Sequence, residues 1–358
     1  MSHPKIERFG TSGFQPIVSI IVLNWNGATW LPKCLASIRE QTLAKNIETI
    51  FVDNASADNS VEIARELLKE FHAACLVING QNLGFSGGNN IGAEYSTGQY
   101  LFFLNPDTWL EPDCIENLIE AVRLAGADAA TPLVLNYHDD SYQDMGFFGF
   151  DIFGLPSPSK PQTTMREIFI AGGCSLLIDR ALFFRIGGFD PEFFMYSEDA
   201  DLSWRVWIAG GKIIGVPKAR VHHRGASTTN PAGGEKPIEF RTTVEKRFLT
   251  NRNGLLMLLK NAQHLLLLFV PIQISFLTVE SILITLLLRR TRYFRKAYLN
   301  ALVDCWRLRH HVLRERRRVA RFRKRGDFWM LRFLRLHPNR WFEIKRLFTF
   351  GLPKIDSR

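Results

Sequence analysis

Three carboxylates fall within four residues at Glu198, Asp199 and Asp201, inside the run GGFDPEFFMYSEDADLSWR. Like charges so close repel, and a cluster of them entering an amphipathic helix beside an apolar core points to a task that uses perturbed acidity. One of them at a helix start can act as general base toward a hydroxyl, its anion favoured by the helix N-terminus. A second set is built for a charged ligand. Asn105-Pro106-Asp107 follows the apolar run YLFFL, and a carboxylate at a strand end is a natural oxygen donor for Mg²⁺ or Mn²⁺. His222 and His223 lie in VHHRGAS, where Arg224 suits diphosphate oxygens. Neighbouring residues of a strand point to opposite faces, so at most one of these histidines can join a metal. Each piece also has a plain structural alternative: helix-start acids, an Asp-capped turn, a packed histidine pair.

Two further groups read as a ligand pocket. Asn24, Asp53 and Asn54 stand just past the carboxyl ends of two predicted strands, where open α/β sheets bind ligands. A carboxylate there accepts from a pyrimidine N–H or a ribose hydroxyl, although VDNASADNS also serves as a turn and helix cap. The stretch NGQNLGFSGGNN (79–90) brings Asn82, Gly84 and Asn89, with glycines that permit close backbone approach and amides that donate to phosphate or sugar. It lacks the lysine of a phosphate-binding P-loop.

Positioning these groups falls to an alternating pattern. Ile17–Leu23, Ile47–Val52, Ala74–Ile78 and Tyr100–Leu104 read as strands, separated by helical stretches such as the one carrying Leu31, Leu35 and Ile38. Strands flanked by helices predict a Rossmann-like, mostly parallel sheet covered on both faces. Residues 134–165, rich in Tyr, Gly, Pro and Ser, read as a long loop or lid. Residues 265–288 form the longest apolar tract, long enough as a helix to cross a bilayer but interrupted by Pro271, Gln273 and Glu280. The choice stands between an in-plane helix, a span and a core helix.

Composition narrows the classes. The 358 residues are 46% hydrophobic with 28 Phe, which excludes a disordered or low-complexity chain. Five cysteines lack CxxC spacing and read as reduced thiols, not a disulfide framework or zinc site. MSHPKIERFG has no apolar leader segment, so no signal peptide is expected. The net charge of +10 is divided: residues 1–288 carry 23 basic against 30 acidic side chains, and residues 289–358 carry 22 against 5. An acidic body disfavours a nucleic-acid binder. A basic, aromatic-rich tail behind an apolar tract, including Trp306, Phe328 and Trp341, instead suits an anionic membrane surface. The expected division is a catalytic domain over 1–254 and a helical membrane-associating region over 255–358.

Taken in order, VSIIVLNWNG, IFVDNASADNS, NLGFSGGNN, FFLNPD, AGGCSLLIDR, GGFDPEFFMYSEDADLSWR and ARVHHRGAS resemble a family 2 glycosyltransferase of the GT-A fold, within its rhamnosyltransferase-like branch. The similarity runs from Ile17 to Ser227 and weakly to Asn253 through RFLTNRNGLL. It implies a nucleotide-sugar donor, Mg²⁺ or Mn²⁺, and inversion at the anomeric carbon. Asp53 would contact the base with Asn24 in the same pocket, and Asn54, Asn82, Gly84, Asn89 and Asn105 would line the donor site. Asp107 matches the last position of the DxD metal motif, whose first position is here Asn105, with His222 as further ligand. Asp199 matches the aspartate of the ED motif and would be the base, supported by Glu198, Asp201, Arg205 and Arg224. The donor implied is dTDP-rhamnose, with UDP-galactose, UDP-galactofuranose or UDP-N-acetylglucosamine as alternatives. The acceptor would be a saccharide or a polyprenyl-diphosphate-linked saccharide, reached from the cytoplasmic face of the cell membrane. A non-catalytic membrane scaffold is the alternative of another class.

Overall fold

The computed structural model describes residues 3–11, 13, 15–152, 155–158, 161–225, 241–288, 291–336, 349, 351 and 354–356. Ser227 and Trp341 lie outside the described residues. The chain opens with β1 (Lys5–Gly10), then alternates β2 (Val18–Asn24), α1 (Leu31–Arg39), β3 (Ile47–Asp53), α2 (Ser60–Leu68), β4 (Ala73–Ile78), α3 (Gly84–Glu94) and β5 (Tyr100–Leu104). The four strands read from sequence are therefore present, within a residue of the expected bounds. Next come β6 (Thr108–Leu110), α4 (Cys114–Ala125), β7 (Ala129–Asn136), β8 (Tyr142–Asp144), β9 (Phe147–Phe150), β10 (Pro156–Pro158) and β11 (Arg166–Glu167). The segment expected as an unstructured lid is thus partly ordered. Phe150 is fully buried and packs on Phe169 and Trp204, and this burial holds β9 in place despite its flanking turns.

Then follow β12 (Ser175–Asp179), α5 (Arg180–Ile186), α6 (Glu198–Ile208) and β13 (Ile213–His223). The main sheet has the order β1-β4-β3-β2-β5-β12-β7-β13-β11, with β6 on β13 and β8 on β7. β2, β3, β4 and β5 run parallel, as do β7 and β13, whereas β1, β6, β11 and β12 join antiparallel. Because successive side chains alternate between faces, each strand feeds two cores. Ile20, Val22, Phe51 and Phe102 enter the core that includes Leu35, Leu68 and Leu118 from α1, α2 and α4. Ile21, Ile50, Val52 and Phe103 enter the other, with Phe183 from α5 and Trp204 and Trp207 from α6.

The C-terminal third consists of α7 (Val244–Asn261), α8 (Phe269–Leu288), α9 (Thr291–Phe294), α10 (Asn300–Arg307), α11 (Arg309–Phe322) and α12 (Asp327–Met330). The division expected between residues 254 and 255 falls inside α7. The tail also belongs to the second core, since Phe333 and Trp329 stack on Trp207. Several tail arginines point inward: Arg316 donates to the carbonyls of Leu259 and Ala262 at 2.5 and 2.7 Å, and Arg325 to those of Gly211 and Gly210 at 2.7 and 3.1 Å. They cap the open carbonyls past α7 and α6, where the helix dipole favours positive charge. Asp327 returns the favour to the next turn, accepting from the backbone N–H of Gln263, His264 and Leu266 at 2.8–2.9 Å.

Candidate active site

Parallel register sets the first part of the site. Asn24 and Asp53 are paired across β2 and β3, and the Asn24 amide donates to Asp53 Oδ1 and Ser56 Oγ at 3.1 Å each. Asp53 Oδ2 accepts from the Ser56 backbone N–H at 2.9 Å. Both side chains are buried, and Asn24 Oδ1 has no hydrogen-bond partner among the described residues. Asn54 serves the turn rather than open space. It donates to Asn82 Oδ1 and the Gly84 carbonyl at 2.9 and 3.1 Å, and accepts from Asn79 and the Leu83 N–H at 3.2 and 3.1 Å. Asn82 also accepts from the Gly84 N–H at 2.8 Å. Gly84 has φ +70° and its missing side chain makes room for the Phe194 carbonyl, so its freedom is spent on a neighbouring loop. Asn89 is buried within α3, donating to the Phe85 carbonyl at 3.0 Å.

The second part forms around the hairpin after β5. β12 pairs antiparallel with β5, which lays Gly173-Cys174 beside Asn105, and the Asn105 N–H donates to the Cys174 carbonyl at 3.0 Å. Asp107 Oδ1 lies 3.4 Å from Nε2 of His223. His222, named from sequence as the metal ligand, faces away. Its ring stacks on Trp109 at 3.6 Å, and its nitrogens lie 3.3 Å from Glu111 and 3.0 Å from Asp140. Strand alternation is the reason: His223 faces Asp107 and Cys174 on one side of the sheet, and His222 faces Trp109, Glu111 and Asp140 on the other. Burial disfavours the His223 cation, but the Cys174 thiol and the Asp107 carboxylate outweigh it and raise the imidazole well above its usual range. Arg224 lies over the Trp30 ring at 4.8 Å, and its backbone N–H donates to the Asp107 carbonyl at 3.0 Å.

Asp107 and His223 offer one oxygen and one nitrogen donor across 3.4 Å, a gap that two ligand bonds of about 2.1 Å span. Among the described residues no group of three or more His, Cys, Asp or Glu side chains is placed to hold an ion. The pair fits a divalent cation whose remaining positions come from a ligand and water.

The third part is the acidic helix. α6 was expected to be amphipathic; it is instead buried on every side, because the core beneath it and the tail helices above it enclose it. Asp199 is the one residue of α6 that is only part-buried. Its Oδ2 accepts from the Gly173 N–H at 3.1 Å and its Oδ1 from the Ala200 N–H at 2.7 Å. Gly173 and Cys174 are consecutive, so a single turn joins the base candidate to the Asp107–His223 pair. Burial raises the Asp199 carboxyl, with the backbone N–H groups of Ala200 and Gly173 pulling it back and the charge of Asp144 adding to the rise. Glu198, buried with Oε2 unpartnered among the described residues, is pushed up further by burial and by the Asp199 charge. Both carboxyls are thus raised, Glu198 the more because it is more deeply buried and faces the Asp199 charge.

Asp201 and Arg205 sit away from this opening. Arg205 donates to Asp201 at 2.7 Å and to the carbonyls of Ile186 and Gly188 at 2.8 and 2.7 Å, and both side chains are buried. Lys260 from α7 completes the network against Asp190 and Asp201, and His311 from α11 reaches Asp190 at 2.9 Å. Sequence reading missed Asp144, Gly173, Cys174 and His223 as site residues. AGGCS stands among the motifs, but only its antiparallel pairing opposite YLFFL, which no local pattern records, places it at the site.

Known proteins bear on this arrangement. The profile of Glycosyl transferase family 2 matches residues 19–187. An uncharacterized glycosyltransferase of Rickettsia typhi is 30% identical over 226 residues, covering 61% of this chain and 68% of that protein. The N-acetylglucosaminyl-diphospho-decaprenol L-rhamnosyltransferase of Mycobacterium tuberculosis is 27% identical over 270 residues, 66% of this chain and 85% of that protein. The putative glycosyltransferase EpsH of Bacillus subtilis is 37% identical over 131 residues, but the match spans only 37% of this chain and 36% of EpsH. Among solved structures, S. aureus TarS 1–349 in complex with UDP superposes with a TM-score of 0.52 at 13% identity, covering 85% of this chain and 88% of that one. The mannosyltransferase PcManGT of Pyrobaculum calidifontis, in complex with GDP-Man and Mn²⁺, gives 0.50 at 15% identity, covering 87% and 86%. Those likenesses give the fold, which is GT-A-like. With the ordered motifs at the strand ends and a relative of this identity and coverage, the chain belongs to glycosyl transferase family 2.

Proposed function

We propose that this chain is an inverting, divalent-cation-assisted glycosyltransferase with Asp199 as its base. The observation that carries the reading is the placement of Asp199: the one part-buried residue of α6, accepting from Gly173, whose neighbour Cys174 accepts from the Asn105 N–H two residues before Asp107. A nucleotide sugar would lie with its nucleoside at Asn24 and Asp53 and its diphosphate toward Asp107, His223 and Arg224. The acceptor hydroxyl gives its proton to Asp199, its oxygen bonds to the anomeric carbon from the opposite face, and the nucleoside diphosphate leaves with the bonding electron pair. A divalent cation held by Asp107 and His223 would supply positive charge for the leaving diphosphate. Inversion requires a single base, so Glu198 is free to stay protonated.

dTDP-rhamnose is the donor we propose, supported by the decaprenol-linked rhamnosyltransferase among the relatives. A saccharide, or a saccharide on polyprenyl diphosphate, is the acceptor, in cell-envelope polysaccharide synthesis. Thermal denaturation with dTDP-rhamnose, UDP-galactose, UDP-galactofuranose and UDP-N-acetylglucosamine, each with Mn²⁺, tests this. The matching donor raises Tm because it binds the native state; stabilisation by none of them would reject the donor reading.

A membrane surface is the second proposed partner, at the cytoplasmic face. α8 turns Gln273, Leu277 and Ser281 toward the body, and Glu280 pairs with Arg247 of α7 at 3.6 Å. The polar residues that interrupt the apolar tract therefore face protein. The opposite stripe, Ile272, Val279, Ile282, Leu283 and Leu286, is exposed, as are Trp306 and Phe328. Among the described residues one helix is long and apolar enough to span a bilayer, with Leu266–Leu283 at its core. Packing along α7 favours an in-plane helix over a span, with Arg307, Arg309, Arg314, Arg317 and Arg321 exposed nearby in sequence to meet anionic headgroups. Flotation with phosphatidylglycerol vesicles should fall when Val279, Leu283 and Leu286 are replaced by Gln. Undiminished flotation would reject this surface. Truncation at residue 255 is the wrong test, since it severs α7.

A further inference from the structure

The loop before the acidic helix holds an unusual backbone. Phe194, Tyr196 and Ser197 have φ values of 59°, 72° and 65°, left-handed conformations that a side chain disfavours. Such a run persists only where its surroundings over-determine it, and at functional sites that is how a reacting group is held in one pose. One face of the loop is fixed by the donor-side turn: the Ser86 N–H donates to the Phe194 carbonyl at 3.2 Å, and Gly84 leaves room for that same carbonyl. The other face is fixed from α7, chiefly by Asn253. Asn253, fully buried, directs its Nδ2 to the carbonyls of Phe193, Met195 and Tyr196 at 2.9, 2.9 and 2.7 Å. Two N–H groups are thereby shared among three carbonyls of the 193–197 loop, one of them of the left-handed Tyr196 and the other two of residues beside left-handed Phe194.

The orientation of that amide is itself set. Arg252 Nε donates to Asn253 Oδ1 at 3.0 Å, so the oxygen faces the guanidinium and the nitrogen faces the loop. Arg252 also donates to the Glu192 carbonyl at 2.6 Å and is anchored by Asp304 of α10 at 3.0 Å. Glu198 and Asp199 follow directly on the run so held.

We infer that Asn253 is a positioning residue that keeps the 193–197 loop in its left-handed path and so fixes where Asp199 points; this rests on the reading of Asp199 as the base. Asn253 touches no substrate. It acts by denying the loop its relaxed conformations, and misplacement of a reacting group by about an ångström costs on the order of 10²-fold in turnover.

The test uses the full chain with Asn253→Ala and with Asn253→Asp, which keeps the shape but turns a carboxylate toward three carbonyls. Val122→Ala, on the buried face of α4 in the other core, is the control for lost stability alone. Hydrogen exchange read by mass spectrometry should rise at least tenfold in the peptide covering 193–199 in both Asn253 variants, and not in the control. With dTDP-rhamnose or UDP-galactose and Mn²⁺, whichever the wild-type chain turns over, kcat should fall about 10²-fold while KM for the donor stays within threefold. Unchanged exchange in 193–199 would overturn the inference, and so would unchanged kcat beside faster exchange. If Asn253 variants do not fold, Arg252→Gln, which removes the orienting bond, carries the same two readouts. Wild-type chain that turns over no nucleotide sugar counts against the proposed function, while the exchange result still decides whether Asn253 holds the loop.

Discussion

The two sides of the crevice are built by opposite means. On the nucleotide side, neutral amides and one carboxylate satisfy each other across strands in register, as Asn24 does with Asp53 and Asn54 with Asn79 and Asn82. On the base side, charged groups are buried and matched by residues far along the chain: Asp201 by Lys260 and Asn261, Asp190 by Lys260 and His311. A neutral network in a sheet costs little to desolvate and tolerates the loss of a member. A buried charge without its partner does not. The lesson is that the tail packs into the body; the helix that carries Asp199, the proposed base, is held by it.

That contrast can be broken experimentally. Asp199→Asn should lower turnover by about 10²–10⁴-fold with nucleotide affinity nearly unchanged, whereas Asp53→Asn should weaken nucleotide binding more than it slows the bound complex. Calorimetry with the nucleoside diphosphate separates the two, and equal loss of affinity in both would erase the distinction between the sides. Next in size, Lys260→Met removes the cation shared by Asp190 and Asp201, leaving Asp190 to His311 and Asp201 to Arg205, and should cost about 3–5 kcal/mol in denaturant unfolding. Asn54→Ala, from the neutral network, should cost about 1–3 kcal/mol. A larger loss from Asn54 would reverse the comparison.

The two histidines sharpen it further. His223→Ala should raise the Mn²⁺ concentration for half-maximal activity at least about tenfold, while His222→Ala leaves it within about twofold. The smallest effect concerns pH. Asp199 must be ionised to accept a proton and its carboxyl is raised by burial, so turnover should fall on the acid side at a pH above the usual aspartate value of about 3.9. Asp144 and Glu198 are the acidic groups facing it, and Asp144→Asn should move that limb down by less than about one unit. A limb at the ordinary value would mean that burial does not govern the base.

Much of the sheet half was legible because its causes are local. β-Branched runs of strand length, broken by Asn- and Gly-rich turns, give β2 to β5 and set Asn24, Asp53 and Asp107 at their ends. The acidic motif was legible as chemistry for the same reason, since three acids in four residues show in any reading. What stayed hidden depended on which strand lies beside which. β12 enters between β5 and β7 antiparallel, and only that insertion carries Gly173 to Asp199 and Cys174 to Asn105. The choice between His222 and His223 turned on the phase of β13 against β6, which alternation alone leaves open.

The sequence by itself determined the alternation of strands and helices, the ligand-binding ends of those strands and the divided charge, because each follows from side-chain type and short-range spacing. Tertiary structure alone decided that Asp199 stays part-exposed while the rest of α6 is buried, that His223 faces Asp107, and that Lys260 and Asn253 reach back to hold Asp201 and the 193–197 loop. The physical reason is that a buried charge or a left-handed backbone is tolerable only beside its partner, and those partners lie about sixty residues away in the chain, where no local pattern records them.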